Sequence, residues 1–360
     1  MSFRQRISWI CVLVLAAAIK ILSLSPAAVE RYYSMGFYPV ISRFQRLLFG
    51  WIPFSVGDLL YAFVVVWLIY LLVSGIRHLI RRDLGRGWLR VLCRRVVFAL
   101  LLVYVLFNGL WGLNYDRRGI AAQLQLEVKP YSTEELAHLL TLICDRLNSL
   151  DSVQVLDTAR LGSHRVLFAG AVRAYDSLVL RQPEFAYATP SVKSSLFGYL
   201  NDYLGFGGYY NPFTGEAQVN TTLPVLEQPY TTCHEMGHQL GYAKENEAEF
   251  SGYFSARSSP DPAFRFSTYT DLYFYAAREL YVRDSNLVRP LRDHLHPFVR
   301  QYFRVIQRFS RKYQNPFEPL VRGLYGHYLQ ANRQPQGLMT YNEVIAWLIA
   351  YAKKNGWEGV

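Results

Sequence analysis

Cysteine is scarce in this 360-residue chain, and the four present stand far apart: Cys11, Cys93, Cys144 and Cys233. None belongs to a C-x-x-C pair, so neither a zinc ribbon nor a disulfide framework is indicated. Cys11 and Cys93 fall in or beside apolar runs, while Cys144 and Cys233 read as buried thiols rather than a bridge. Acidic residues are scarce at one end. Residues 1–114 hold 13 Lys+Arg against 3 Asp+Glu, whereas residues 115–360 hold 25 against 24. The net charge of +11 therefore belongs to the first third, and the larger part lacks the basic surface that nucleic acid would need. Internal repeats and low-complexity stretches are absent as well.

What the first third does have is apolar sequence. Hydrophobic residues make up 51% of the chain, high for a soluble protein. Three runs hold much of them. The run at 7–24 follows Arg4 and Arg6 and tolerates Lys20 near its end, where a long side chain can snorkel. A cleaved signal peptide is the rival reading of this run, because Ser25, Pro26, Ala27 and Ala28 follow it. The run at 56–76 contains LLYAFVVVWLIYLLV, and the run at 96–113 is followed by Tyr115, with Trp111 near its end at an expected membrane interface. Residues 1–114 are thus expected to form an α-helical anchor of three transmembrane helices.

Orientation follows from charge. Arg77, Arg81, Arg82, Arg86, Arg90, Arg94 and Arg95 lie between the second and third runs against Asp83 alone, which keeps that loop in the cytoplasm. The N-terminus is then expected to be cytoplasmic too, with residues 115–360 outside the cytoplasmic membrane. The loop 25–55 is also external. It is rich in aromatics and either packs on the outer domain or lies among headgroups.

The chemistry is concentrated in TTCHEMGHQLGYAKENEAEF, residues 231–250. His234, Glu235 and His238 match H-E-x-x-H. On a helix, positions four apart share a face, so two imidazoles can bind one ion while Glu235 reaches a water beside it. Zn²⁺ suits this donor set, since catalytic zinc takes three protein ligands and leaves one position open. The third ligand cannot lie on the same straight helix: Glu245 would be about 16 Å from His234 along the axis. The chain must turn, and Gly241 is the residue suited to end the helix. A second helix starting near Lys244 brings Glu245 to the ion and sets Glu249 behind a ligating imidazole, with Glu247 solvated. The metzincin pattern fails, because Lys244 stands where its third histidine would be.

HEMGHQLGYAKENEAEF, together with the upstream GGYYNPFTGEAQVN, resembles a bacterial membrane family known as domain of unknown function 3810. That resemblance implies a zincin-like metallopeptidase fold of the gluzincin type. It runs over nearly the whole chain and names no substrate. The E-x-x-A-[DN] element of related gluzincins corresponds to Glu245, Ala248 and Glu249, with Glu standing where Asp or Asn is usual.

Around the motif, 215–222 (GEAQVNTT) reads as a short strand, either an edge that pairs with a substrate backbone or an ordinary hairpin strand. Helices are expected from the Ser132–Glu135 capping box onward and at 165–180, 271–282, 291–311 and 341–354. His138, His294 and His296 read as surface residues. His327, Tyr341 and Tyr210 are candidates to steady an oxyanion. The expected fold is therefore a three-helix anchor followed by a mainly α, α+β zincin-like domain. Its expected function is a zinc-dependent metallopeptidase acting on a peptide or protein, with Glu235 as general base and His234, His238 and Glu245 as ligands. The alternative is a catalytically idle zinc-binding scaffold. Oligomeric state is not legible.

Overall fold

The computed structural model describes residues 2–81, 87–150, 155 and 161–360, so Arg82, Asp83 and Arg86 of the basic loop lie outside the described residues. The chain is mostly helical. Helix α1 (Phe3–Leu22) opens on a capping box in which Ser2 and Gln5 satisfy one another's backbone N–H groups. A π-helical stretch, Val29–Phe37, leads into α2 (Tyr38–Phe49), followed by α3 (Val56–Ile80) and α4 (Trp88–Leu110). Two of these helices, α1 and the Val56–His78 part of α3, are long and apolar enough to cross a membrane, with almost none of that surface buried. The third apolar run is also helical, but α4 starts earlier than expected and takes Arg90, Arg94 and Arg95 into its first two turns. It packs along α1, where the Trp9 and Phe98 rings lie 5.2 Å apart.

The remainder forms one helical body with a small sheet. In order come α5 (Thr133–Asn148), α6 (His164–Val179), β1 (Val192–Ser194), α7 (Gly198–Leu204), β2 (Gly208–Asn211) and β3 (Glu216–Val219). Then follow α8 (Gln228–Gln239), α9 (Glu245–Ser258), α10 (Pro262–Arg283), α11 (Ser285–His294), α12 (Pro297–Tyr313), α13 (Glu318–Ala331) and α14 (Glu343–Asn355). The expected capping box of α5 is present, with Ser132 Oγ accepting from Glu135 N at 3.2 Å. The single helix expected at 291–311 is two, because Leu295 and His296 are extended ahead of Pro297.

Strand order is β1-β3-β2, with β1 parallel and β2 antiparallel to β3. The strand read from 215–222 is therefore central rather than an edge, since both its sides are paired. The strand at the edge beside the cleft is β2, whose Gly-Tyr-Tyr sequence carried no alternation that would mark it out.

One large core joins α5, α6, α8–α10 and α14 through residues such as Leu139, Ile143, Phe250, Phe254, Phe264 and Leu348. A second core crosses the expected boundary at residue 114. In it Val29, Tyr33, Tyr38, Trp111, Leu113 and Tyr115 pack with Tyr210 and Ala243. Trp111 and Tyr115 are 4% and 3% exposed, so they are interior residues and not an interfacial belt. The 3₁₀ turn Gly112–Asp116 swings them inward once α4 ends. The loop 25–55 likewise packs on the body. Its helix α2 buries Tyr38, Ser42, Gln45 and Arg46 and exposes Val40, Phe44, Leu47 and Leu48.

Candidate metal centre

Helix α8 is polar in sequence yet buried at every position but Thr231. Its polar groups must then find partners inside the protein. The last carbonyls of a helix have none of their own, and here the membrane-proximal segment supplies them. Trp111 Nε1 donates to His238 O at 3.0 Å, and Tyr38 and Ser42 hydroxyls donate to Gln239 O at 2.9 and 3.2 Å. Gly241 follows at φ +85°, a conformation that favours glycine, and its carbonyl accepts from Arg117 Nη1 at 3.0 Å. The turn made there reverses the chain, and α9 begins at Glu245 with Lys244 as its N-cap. The two helices cross closely: a Cβ on Gly252 of α9 would lie 3.1 Å from the His234 backbone.

That crossing gathers the site. One ligand atom each from His234, His238 and Glu245 lies within 4.8 Å of the others, and all three side chains are buried. Glu245 Oε2 is 3.4 Å from His234 Nε2 and 3.6 Å from His238 Nε2. His238 Nδ1 lies 2.8 Å from Tyr242 O, which fixes a proton on Nδ1 and turns Nε2 toward Glu245. His234 Nδ1 faces Glu249 Oε1 at 3.5 Å, but no hydrogen bond forms between them. Glu249 is itself held by the Tyr230 hydroxyl and by Tyr275 Oη at 3.4 Å.

Electrostatics distinguish the carboxylates. Burial raises Glu245, but its hydrogen bonds to the two histidines outweigh this and hold it well below the usual range. Burial lowers His238, yet Glu245 reverses the shift and carries it up to about 9. Burial lowers His234 more than Glu245 can restore. Glu235, 3% exposed, is pushed up to about 8, first by burial and then by Glu245 against the lowering effect of His238. Its Oε2 has no hydrogen-bond partner among the described residues. Burial and then Asp271 raise Glu249.

These donors line a cleft of about 970 Å³ bounded by β2, α7, α8, α10 and α13. Gly208 of β2 lies so close to Glu235 that a Cβ there would stand 2.6 Å from its Oε1. The cleft also holds groups that sequence reasoning missed. Tyr325 of α13 donates to Glu245 Oε1 at 2.7 Å, and Glu227 and Asp271 also line the cleft. Burial and Asp271 raise Glu227 to about 8, and burial raises Asp271 to about 7. Among 27 tyrosines, nothing local marks Tyr325, which is 80 residues from its partner.

Other expectations find their places. Glu247 is not solvated: it is 1% exposed, 3.8 Å from Lys244 Nζ and packed against Gly119. The close approach of α9 to the Arg117 segment encloses it. Tyr210 lines the cleft, but its hydroxyl lies 3.5 Å from Tyr38 Oη. His327 is exposed and contacts Gln330, and the side chain of Tyr341 lies outside those described. His138 and His294 are on the surface.

Two histidines and a glutamate on crossed helices, with a second buried glutamate beside them, make a donor cluster able to hold a divalent metal ion at a cleft wall. The chain belongs to the family described as protein of unknown function (DUF3810), whose profile matches residues 33–349. No curated protein and no solved structure gave a significant match.

Proposed function

We propose that this protein is a zinc-dependent peptidase of the bacterial cytoplasmic membrane, with the body at 115–360 outside and α1, α3 and α4 crossing the bilayer. In this reading the fold is zincin-like, and His234 Nε2, His238 Nε2 and a Glu245 oxygen hold Zn²⁺. The donor set fits the ion: one anionic oxygen and two imidazoles, one of them oriented by the Tyr242 carbonyl. Zinc bound there would supply Lewis acidity and lower the pKa of water.

Glu235 is the base. It stands within the cleft, is oriented by the close approach of β2, and takes a proton from the attacking water. Once protonated in that way, it can give the proton to the leaving amine. The substrate backbone adds to the free edge of β2, which runs along the cleft next to Glu235. Tyr325 keeps Glu245 aimed at the ion, and Glu249 does the same for His234. Tyr230 and Tyr275 in turn restrain Glu249.

The observation that carries the reading is Glu235 Oε2, a buried carboxylate oxygen beside the cluster that has no hydrogen-bond partner among the described residues. An idle scaffold gains nothing from such a group, which costs about 1–3 kcal/mol to bury unsatisfied. The test uses the full chain in lipid nanodiscs with a degenerate decapeptide library and metal analysis. Native protein should carry about one zinc and cleave peptides. Glu235→Gln should keep the zinc and lose cleavage by roughly 10²–10⁴-fold. Equal cleavage by both forms, or zinc-loaded native protein that cleaves nothing, would defeat the proposal.

A further inference from the structure

The cleft reaches the membrane-proximal helices. Its wall includes Tyr61 of α3 and Phe107 of α4. Tyr61 lies five residues, about 7.5 Å, from the outer end of α3, and Phe107 three residues, about 4.5 Å, from the end of α4. Beyond those turns both helices are largely apolar and unburied.

A further lip of the cleft is made by α7 and α13. Tyr199 and Tyr203 of α7 are exposed and do not line the cleft, as are Leu320 and Leu324 of α13, at 62% and 63%. The lip joins the anchor, because Tyr328 of α13 contacts Tyr115 just past α4, hydroxyl to hydroxyl at 3.2 Å. Beside it runs α12, which has no acidic residue and exposes Arg304, Arg308, Arg311 and Lys312. Tyr313 at the end of α12 packs on Tyr203, ring centroids 5.1 Å apart. On α2 the usual amphipathic order is inverted, with Ser42, Gln45 and Arg46 inward and Val40, Phe44, Leu47 and Leu48 outward.

Unburied apolar surface of this extent marks contact with lipid or protein. Two features choose lipid. The surface is continuous with helices apolar enough to span a bilayer, and the neighbouring charge is basic, which suits anionic headgroups. We propose that the mouth of the cleft rests on the outer leaflet and admits polypeptides that are themselves anchored in that membrane, at a bond close to the anchor. This substrate class rests on the peptidase reading above. A soluble chain must pass between lip and bilayer, whereas an anchored one arrives along the surface at raised effective concentration.

The test has an arm that needs no activity. The full chain, with Cys11→Ser and Cys93→Ser, is placed singly in nanodiscs of phosphatidylethanolamine and phosphatidylglycerol. A polarity-sensitive fluorophore is attached at Tyr199→Cys, Leu320→Cys or, as a control on an exposed residue at the end of α6, Leu180→Cys. Lipids with brominated acyl chains should quench the first two and spare the third. Unquenched lips overturn the proposal, and so does a blue shift without lipid quenching, which marks a protein partner.

The second arm compares one decapeptide library in three forms: free, N-palmitoylated, and joined to a single apolar span. Anchored forms should be cleaved at least about tenfold faster than free peptide, and whichever anchor is preferred identifies the source. The double variant Leu320→Asp, Leu324→Asp should abolish that preference and leave free-peptide cleavage unchanged. Equal rates for all three forms overturn the substrate class. Quenched lips with no cleavage of any form refute the peptidase reading, and with it the substrate class, while upholding the placement on the membrane.

Discussion

Glu245 and Glu249 stand four residues apart on one helix and meet different atoms of the site. Glu245 faces the Nε2 atoms of both histidines, and Glu249 faces only Nδ1 of His234. Glu245→Gln replaces an anionic oxygen with a weak neutral donor, so zinc content and activity should both collapse. Glu249→Gln keeps an acceptor behind His234 and should cost about 10–100-fold in affinity. Zinc titration of both variants checks the order, and the reverse order would exchange the two roles. Glu227 offers a prediction away from the metal. Its carboxyl rises from an ordinary 4.5 to about 8, so the folded chain holds that proton more tightly than the unfolded one. Stability should therefore fall as pH rises from about 4.5 through about 8. Glu227→Gln, which carries no charge to bury, should melt higher than native at pH 9 and differ little at pH 5. A gap that narrows with rising pH would contradict this. At this scale the sequence disclosed the groups fixed by helical spacing, His234, Glu235 and His238. Tyr325, Glu227 and Asp271 were hidden because they come from other helices, and no local pattern records which tertiary neighbour a tyrosine or carboxylate will have.

Elements were legible where a backbone rule applied. The need for a turn before Glu245 followed from helix rise alone, and Gly241 makes it at φ +85°. Gly241→Ala should destabilise the protein by about 1–2 kcal/mol from backbone strain. The added Cβ would also stand 2.9 Å from the Tyr38 ring, so zinc affinity should fall with stability. Chemical denaturation and zinc titration read the two effects, and an unchanged midpoint would show that the turn is not held in that conformation. Pro297 marks the break between α11 and α12, but the apolar spacing on both sides of it imitates one continuous helix. Strand position was not legible. A four-residue strand such as β3 reads the same whether one neighbour or two will pair with it, and here β1 comes from more than 20 residues upstream.

At the scale of the whole molecule, composition located the apolar helices and the basic loop, and the family profile spans residues 33–349, which takes in α2 to α4 and most of the body but not α1. The proposed topology makes a direct prediction. A reporter active only after export should work when fused after Tyr131, and one active only in the cytoplasm should work after Gly85. The opposite pattern would invert the protein in the membrane. What composition could not disclose is that the two halves share a core, because a hydroxyl or indole partner for a helix carbonyl leaves no periodic trace.

The capping of α8 bears on how the protein can be controlled. Tyr38, Ser42 and Trp111 close the carbonyl end of the helix that carries both histidines. Glu216 of β3 in turn receives the first two N–H groups of α3. Each such group stripped of its partner costs about 1–3 kcal/mol, against a typical total of about 5–15 for a domain. The excised fragment 115–360 should accordingly be insoluble or melt far below the intact protein. Many membrane-tethered enzymes can be shed by a cut in the stalk and work on in solution. Here a cut between 25 and 115 would remove part of the fold itself, so shedding would silence the protein rather than release it.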